Sequence, residues 1–66
     1  MPIVEITMIE GRTAEAKRRL IAKVTDAIEE AIEAPRDSIR IILREVPPLH
    51  FGAAGKTKEK TEAQAS

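Results

Sequence analysis

Met1-Pro2-Ile3-Val4-Glu5-Ile6-Thr7-Met8-Ile9 opens the chain, and this β-branched run with proline at its head reads as a strand. Alternation sets Pro2, Val4, Ile6 and Met8 on one face and Ile3, Glu5, Thr7 and Ile9 on the other, so one face is apolar and the other mixed. Glu10-Gly11-Arg12 breaks the pattern and places an arginine in the following loop; Thr13 is suited to cap the helix that comes next.

From Ala14 to about Glu33, Ala16, Leu20, Val24, Ala27, Ile28, Ala31 and Ile32 recur at the three-and-four spacing of one helix face. Pro35 disfavours the α conformation at Ala34 and predicts that the helix stops there or just before. Arg36-Asp37 is a short connection to a second strand over 38–46, with Ile39, Ile41 and Leu43 on one face and Arg40, Ile42 and Arg44 on the other. Strand, helix, strand is a βαβ unit with parallel strands. Pro47-Pro48 ends the second strand by removing two backbone donors, and the glycine-bracketed segment 49–55 is suited to a small loop or hairpin. The expected domain is therefore 2–55, followed by a charged, flexible tail over 56–66 with no apolar face.

A chain of 66 residues hides roughly 60% of the surface its unfolded form exposes. Such a core rarely supplies more than roughly 3–5 kcal/mol without disulfides, a metal or partner subunits. With no cysteine and one histidine, His50, disulfides and an ordinary zinc site are excluded. One helix covers one face of the sheet and leaves the other bare, so further subunits are expected to supply the cover. Eleven basic and eleven acidic side chains cancel, and one Phe with no Trp or Tyr offers no stacking platform, which argues against nucleic acid as a partner. The apolar runs are far shorter than the ~20 residues that span a bilayer and no signal sequence opens the chain, so no membrane association is expected and the cytoplasm is the expected location.

Pro2 in a strand, Glu10-Gly11-Arg12 before a helix, Ala34-Pro35 after it, Arg40 in the second strand and then His50-Phe51-Gly52 together resemble the 4-oxalocrotonate tautomerase family, whose small members belong to the tautomerase superfamily. The resemblance covers residues 2 to 55 without a gap. It implies an α+β fold, a βαβ unit with a short C-terminal hairpin. It further implies two subunits sharing a four-stranded sheet with antiparallel helices, and a homohexamer built as a trimer of such dimers. The implied activity is a cofactor-free, metal-free isomerase of aromatic-compound catabolism, which turns a dienol such as 2-hydroxymuconate into its conjugated 2-oxo isomer. By the family pattern Pro2, freed by removal of Met1, shuttles the proton. Arg12 holds the distal carboxylate, Arg40 of a neighbouring subunit holds the 1-carboxylate and 2-oxygen, and Phe51 walls the pocket beside Ile3 and Ile9. Two positions differ from the dehalogenase relatives, which hydrate 3-chloroacrylates: Ile9 and Ala53 stand where those carry an arginine and a glutamate. Ala53-Ala54 also stands where relatives often have Ile-Gly.

Residue chemistry is consistent with these roles. A free α-amine titrates at about 7.7–8.0 and a secondary amine is more basic still, so burial against Phe51 and the charges of Arg12 and Arg40 are needed to lower Pro2 toward a working base. Each arginine presents a planar fork that matches a carboxylate. Taken singly, each residue also has an ordinary structural role: proline at a strand head, arginine in a loop or on a sheet edge, phenylalanine closing a core. A second reading, a non-catalytic subunit of a mixed oligomer, uses the same fold.

The helix charges carry one more expectation. Lys17, Arg18, Arg19 and Lys23 fill its first half, and Asp26, Glu29, Glu30 and Glu33 its second, an order that opposes the helix macrodipole. Two such helices packed antiparallel about a two-fold axis would set each basic half beside an acidic one.

Overall fold

The computed structural model describes residues 1–59. Strand β1, Ile3–Ile9, leads through the Glu10–Thr13 loop into helix α1, Ala14–Ile32, and a 3-10 turn at Arg36–Ser38 delivers the chain to β2, Arg40–Val46. A second 3-10 turn, Pro48–His50, precedes the hairpin of β3, Gly52–Ala53, and β4, Lys56–Thr57. The architecture is the expected α+β unit, βαβ with a short C-terminal hairpin.

The two long strands pair in parallel, Ile3 opposite Arg40, Ile6 opposite Leu43 and Ile9 opposite Val46. This register lines Val4, Ile6 and Met8 up with Ile41, Leu43 and Glu45 on one face, and α1 lies over that face. Exposure follows the alternation: Val4, Ile6, Met8, Ile41 and Leu43 are half-buried, whereas Ile3, Glu5, Thr7, Arg40, Ile42 and Arg44 are exposed. Among the described residues Ile39 is the one buried apolar side chain, at 8% exposure, while Ile3 keeps 59% and Ile42 keeps 42%. Residues that the pattern marks as half of a core thus lie open in a single chain. An apolar surface of this kind on so small a unit is the mark of an interface.

Helix α1 starts where Thr13 accepts the Ala16 amide through its side chain, 3.0 Å. It ends one turn before Pro35: Glu33 adopts the left-handed conformation, φ 56°, and its amide donates to the Glu29 carbonyl. Glycine usually takes this C-terminal position, because a Cβ there is strained.

Three differences from the sequence reading have physical causes. Strand β2 begins at Arg40 and not at residue 38, because the Ser38 amide and hydroxyl both donate to the Pro35 carbonyl and close a 3-10 turn. Lys56–Thr57, placed in the tail by the sequence reading, pair antiparallel with Gly52–Ala53, and the Lys58 amide donates to the Phe51 carbonyl at 2.9 Å. The folded unit therefore runs past residue 55, and the rest of the expected tail, from residue 60 on, lies outside the described residues. Finally, the helix charges are partly engaged within the chain. Lys17 pairs with Glu45 at 3.1 Å, and Arg36 lies 2.8 Å from both Asp26 and Glu29. Fewer of them are free to pair with another helix than the block pattern implies.

Candidate active site

Five of the six candidate residues divide between the two ends of the β1–β2 pair, and the sixth, Phe51, follows the second 3-10 turn. Pro2, Ile3 and Arg40 share one end: the Arg40 amide donates to the Pro2 carbonyl at 3.0 Å, and Ile3 sits opposite Arg40 in the register. Ile9 and Arg12 belong to the other end, where the Glu10 amide closes the ladder on the Val46 carbonyl, 2.9 Å. The length of β1, Ile3 to Ile9, separates the two groups, about 20 Å at ~3.3 Å per residue. Within one chain, then, Pro2 and Arg12 are not brought together.

Pro2 and Arg40 are backbone neighbours, but the pleat sends their side chains to different faces. Arg40 shares the bare face with Ile3, and Pro2 falls on the helix side with Val4. The Arg40 guanidinium is folded back along its own chain, Nη1 donating to the Asp37 carbonyl. Among the described residues no other partner engages its remaining N–H groups, which suit an anion. On the same face Arg44 stands 3.7 Å from Glu5, an exposed cross-strand pair with little strength of its own.

Phe51, 37% exposed, sits between the second 3-10 turn and the hairpin. Its amide donates to the Pro48 carbonyl at 3.1 Å, and the Lys58 amide donates both to that carbonyl, 3.2 Å, and to the Phe51 carbonyl. The backbone on either side of the ring is thus pinned while the ring itself is open. The two-residue hairpin turn, Ala54-Gly55, has positive φ at both positions, 54° and 81°. Such a type I′ turn favours Asn-Gly or Gly-Gly, so Ala54 is held in a conformation that glycine takes more easily.

By sequence Arg36-Asp37 is a short connection; in the structure Arg36 pairs with α1 and Asp37 contacts Arg40. Arg36 bridges Asp26 and Glu29, whose carboxylates, Asp26 first, raise its guanidinium above the ordinary arginine value. Asp37 supplies the carbonyl that holds Arg40. A basic residue just beyond a helix that ends in acids is the signal that could have drawn attention to Arg36. Among the described residues no three His, Cys, Asp or Glu side chains gather where they could hold a metal ion, and no helix is long and apolar enough to cross a membrane.

The model of the family described as tautomerase enzyme matches residues 2–61. A probable tautomerase of Ralstonia nicotianae is 50% identical over 58 residues, covering 88% of this chain and 83% of the relative. The 2-hydroxymuconate tautomerase of Stutzerimonas stutzeri is 44% identical over 57 residues, covering 86% and 90%. Among solved structures, a heterohexamer 4-oxalocrotonate tautomerase from Chloroflexus aurantiacus superposes with a TM-score of 0.85 at 36% identity, covering 88% of this chain and 94% of that one.

Proposed function

The chain belongs to the tautomerase family, and from that premise we propose that it is a cofactor-independent isomerase that converts 2-hydroxymuconate-type dienols to conjugated 2-oxo acids, with Pro2 as the general base and acid. The observation that carries the reading is the division of the candidate residues between two ends of a sheet whose bare face needs covering. Antiparallel association of two copies lays the Arg12 end of one chain beside the Pro2 end of the other. By the register Arg40 lies on the sheet face opposite to that of its own Pro2, as a residue serving a neighbouring subunit's site would. A homohexamer, a trimer of such dimers, completes each site with residues of more than one chain.

In this scheme Met1 is removed and the Pro2 nitrogen is a free secondary amine. Its lone pair takes the proton of the substrate 2-hydroxyl, the 2-oxygen becomes a carbonyl as the double bonds shift, and the same proton is returned to the distal carbon. No electron is gained or lost overall. Arg12 holds the distal carboxylate, and Arg40 holds the 1-carboxylate and the 2-oxygen on which negative charge grows, where a fixed donor is most effective. Ile3, Ile9 and Phe51 wall the pocket and exclude water, which disfavours the protonated amine and keeps Pro2 competent near neutral pH. Support for the substrate class comes from the 44% identity to the 2-hydroxymuconate tautomerase. The setting we assign is the cytoplasm, in the breakdown of aromatic compounds.

Purified protein incubated with 2-hydroxymuconate is expected to convert it to the 2-oxo isomer with no added metal or cofactor, followed by ultraviolet absorbance, and chelator leaves the rate unchanged. Intact mass is expected to show loss of Met1. Activity that vanishes with EDTA and returns with a divalent ion would exclude the proline scheme. That one solved relative is a heterohexamer supports keeping a second reading, in which this chain is a non-catalytic subunit of a mixed oligomer. Retained Met1, which turns the Pro2 nitrogen into an amide, together with inactivity of the purified chain would favour it.

A further inference from the structure

We propose that Arg36 is a positioning residue for Arg40, acting through the 3-10 turn that joins α1 to β2; the catalytic consequence rests on the functional reading above, in which Arg40 holds substrate. Arg36 Nη1 lies 2.8 Å from Asp26 Oδ1 and 2.8 Å from Glu29 Oε1, so one guanidinium is clamped by two carboxylates on successive turns of α1. The same residue opens the turn: its carbonyl accepts the Ile39 amide at 3.2 Å, just after the Ser38 amide is taken by Pro35. Between those two bonds sits Asp37, whose carbonyl receives the Arg40 guanidinium. Ile39, the one buried apolar residue among those described, anchors the far side of the turn.

The turn is therefore fixed at one end by apolar burial and at the other by the Arg36 clamp, and the carbonyl that aims Arg40 projects from the middle. Each ion pair is exposed and contributes little to global stability. Geometric precision is the larger effect, since a guanidinium must meet a planar carboxylate in both distance and plane to form two hydrogen bonds. Releasing the clamp lets the Asp37 carbonyl swing and Arg40 wander among rotamers, while the fold stays intact.

The test compares Arg36→Ala, Arg36→Lys and Asp26→Asn with Glu29→Gln, each alone and in an Arg40→Ala background. With 2-hydroxymuconate, Arg36→Ala is expected to lower kcat/KM about tenfold, as a small misplacement of a reacting or binding group does, with thermal midpoint and oligomeric state unchanged. Arg36→Lys restores most of the loss, because an ammonium can still sit between the two carboxylates, and the Asp26→Asn with Glu29→Gln double variant reproduces it. In the Arg40→Ala background Arg36→Ala has no further effect, because no guanidinium remains to be aimed. An equal loss in both backgrounds, or no loss in the first, would overturn the proposal. An activity-independent measurement separates this from the functional reading: the Arg40 side-chain Nε–H resonance, assigned by its loss in Arg40→Lys, is expected to move toward the position and sharpness of a free arginine in Arg36→Ala. If wild-type protein fails to turn over 2-hydroxymuconate, the functional reading falls while that resonance still decides whether Arg36 orders Arg40; an unchanged resonance refutes the positioning role.

Discussion

Pro2 is held by its carbonyl and not by its nitrogen: the Arg40 amide takes the carbonyl at 3.0 Å, which fixes the residue's position and leaves its nitrogen outside the strand pairing. Under the proposed scheme Pro2→Ala lowers kcat about a hundredfold, within the usual range for a general base, and retains residual activity because alanine still presents a primary amine. Arg12→Ala mainly raises KM, since its carboxylate is remote from the bond changes and is bound alike in ground and transition states. Arg40→Ala lowers kcat and raises KM, because it touches the oxygen whose charge grows. Steady-state kinetics on the three variants separate these outcomes, and an unchanged kcat in Pro2→Ala removes proline from the mechanism. The residue types were legible in the sequence. Their distribution over two ends of one sheet, and the hold of Asp37 on Arg40, were not, because both depend on strand register and on rotamers that no spacing encodes.

Among the elements, α1 carries an avoidable cost at its C-terminus. Glu33 takes a left-handed φ of 56° and adds a negative charge where the helix already presents partial negative charge. Glu33→Gly is expected to stabilise the protein by about 1 kcal/mol, the combined scale of left-handed strain and an unfavourable helix-end charge. A urea midpoint that does not rise would contradict this account. The hairpin offers a parallel case, since Ala54 at φ 54° precedes Gly55 at φ 81°. Ala54→Asn creates the Asn-Gly pair that such turns prefer and is expected to slow hydrogen exchange of the Lys58 amide several-fold; faster exchange would mean that the turn is not the weak point of the hairpin.

At the scale of the whole molecule, one buried apolar side chain among 59 described residues cannot hold a fold together. The thermal midpoint is therefore expected to rise with protein concentration, as it does when folding and assembly are linked. Ile42→Lys, on the bare sheet face, is expected to shift the protein to smaller, less stable species by sedimentation, and an unchanged size distribution would mean that this face is not an interface. Charge adds less than the helix blocks imply, since Lys17, Asp26 and Glu29 already have partners within the chain. Raising salt is expected to weaken assembly only modestly, in keeping with ~0–1 kcal/mol for each exposed pair; complete dissociation would show that charge, not apolar burial, holds the subunits.

What the sequence determined by itself was periodicity and its consequences. Alternation in residues 3–9 and 40–46 set which side chains face the helix, the three-and-four spacing set the apolar face of α1, Thr13 and Pro35 bracketed the helix, and the short length demanded partners. These are properties of neighbouring residues, which backbone geometry converts directly into faces and ends. Tertiary structure alone decided that Lys56–Thr57 close a hairpin on Gly52–Ala53, that Glu33 and Ala54 take conformations better suited to glycine, and that Arg36 reaches back to Asp26 and Glu29. Each of these depends on where separate segments meet in space, and the energies that select the meeting, a hydrogen bond here and an exposed ion pair there, leave no periodic trace in the chain.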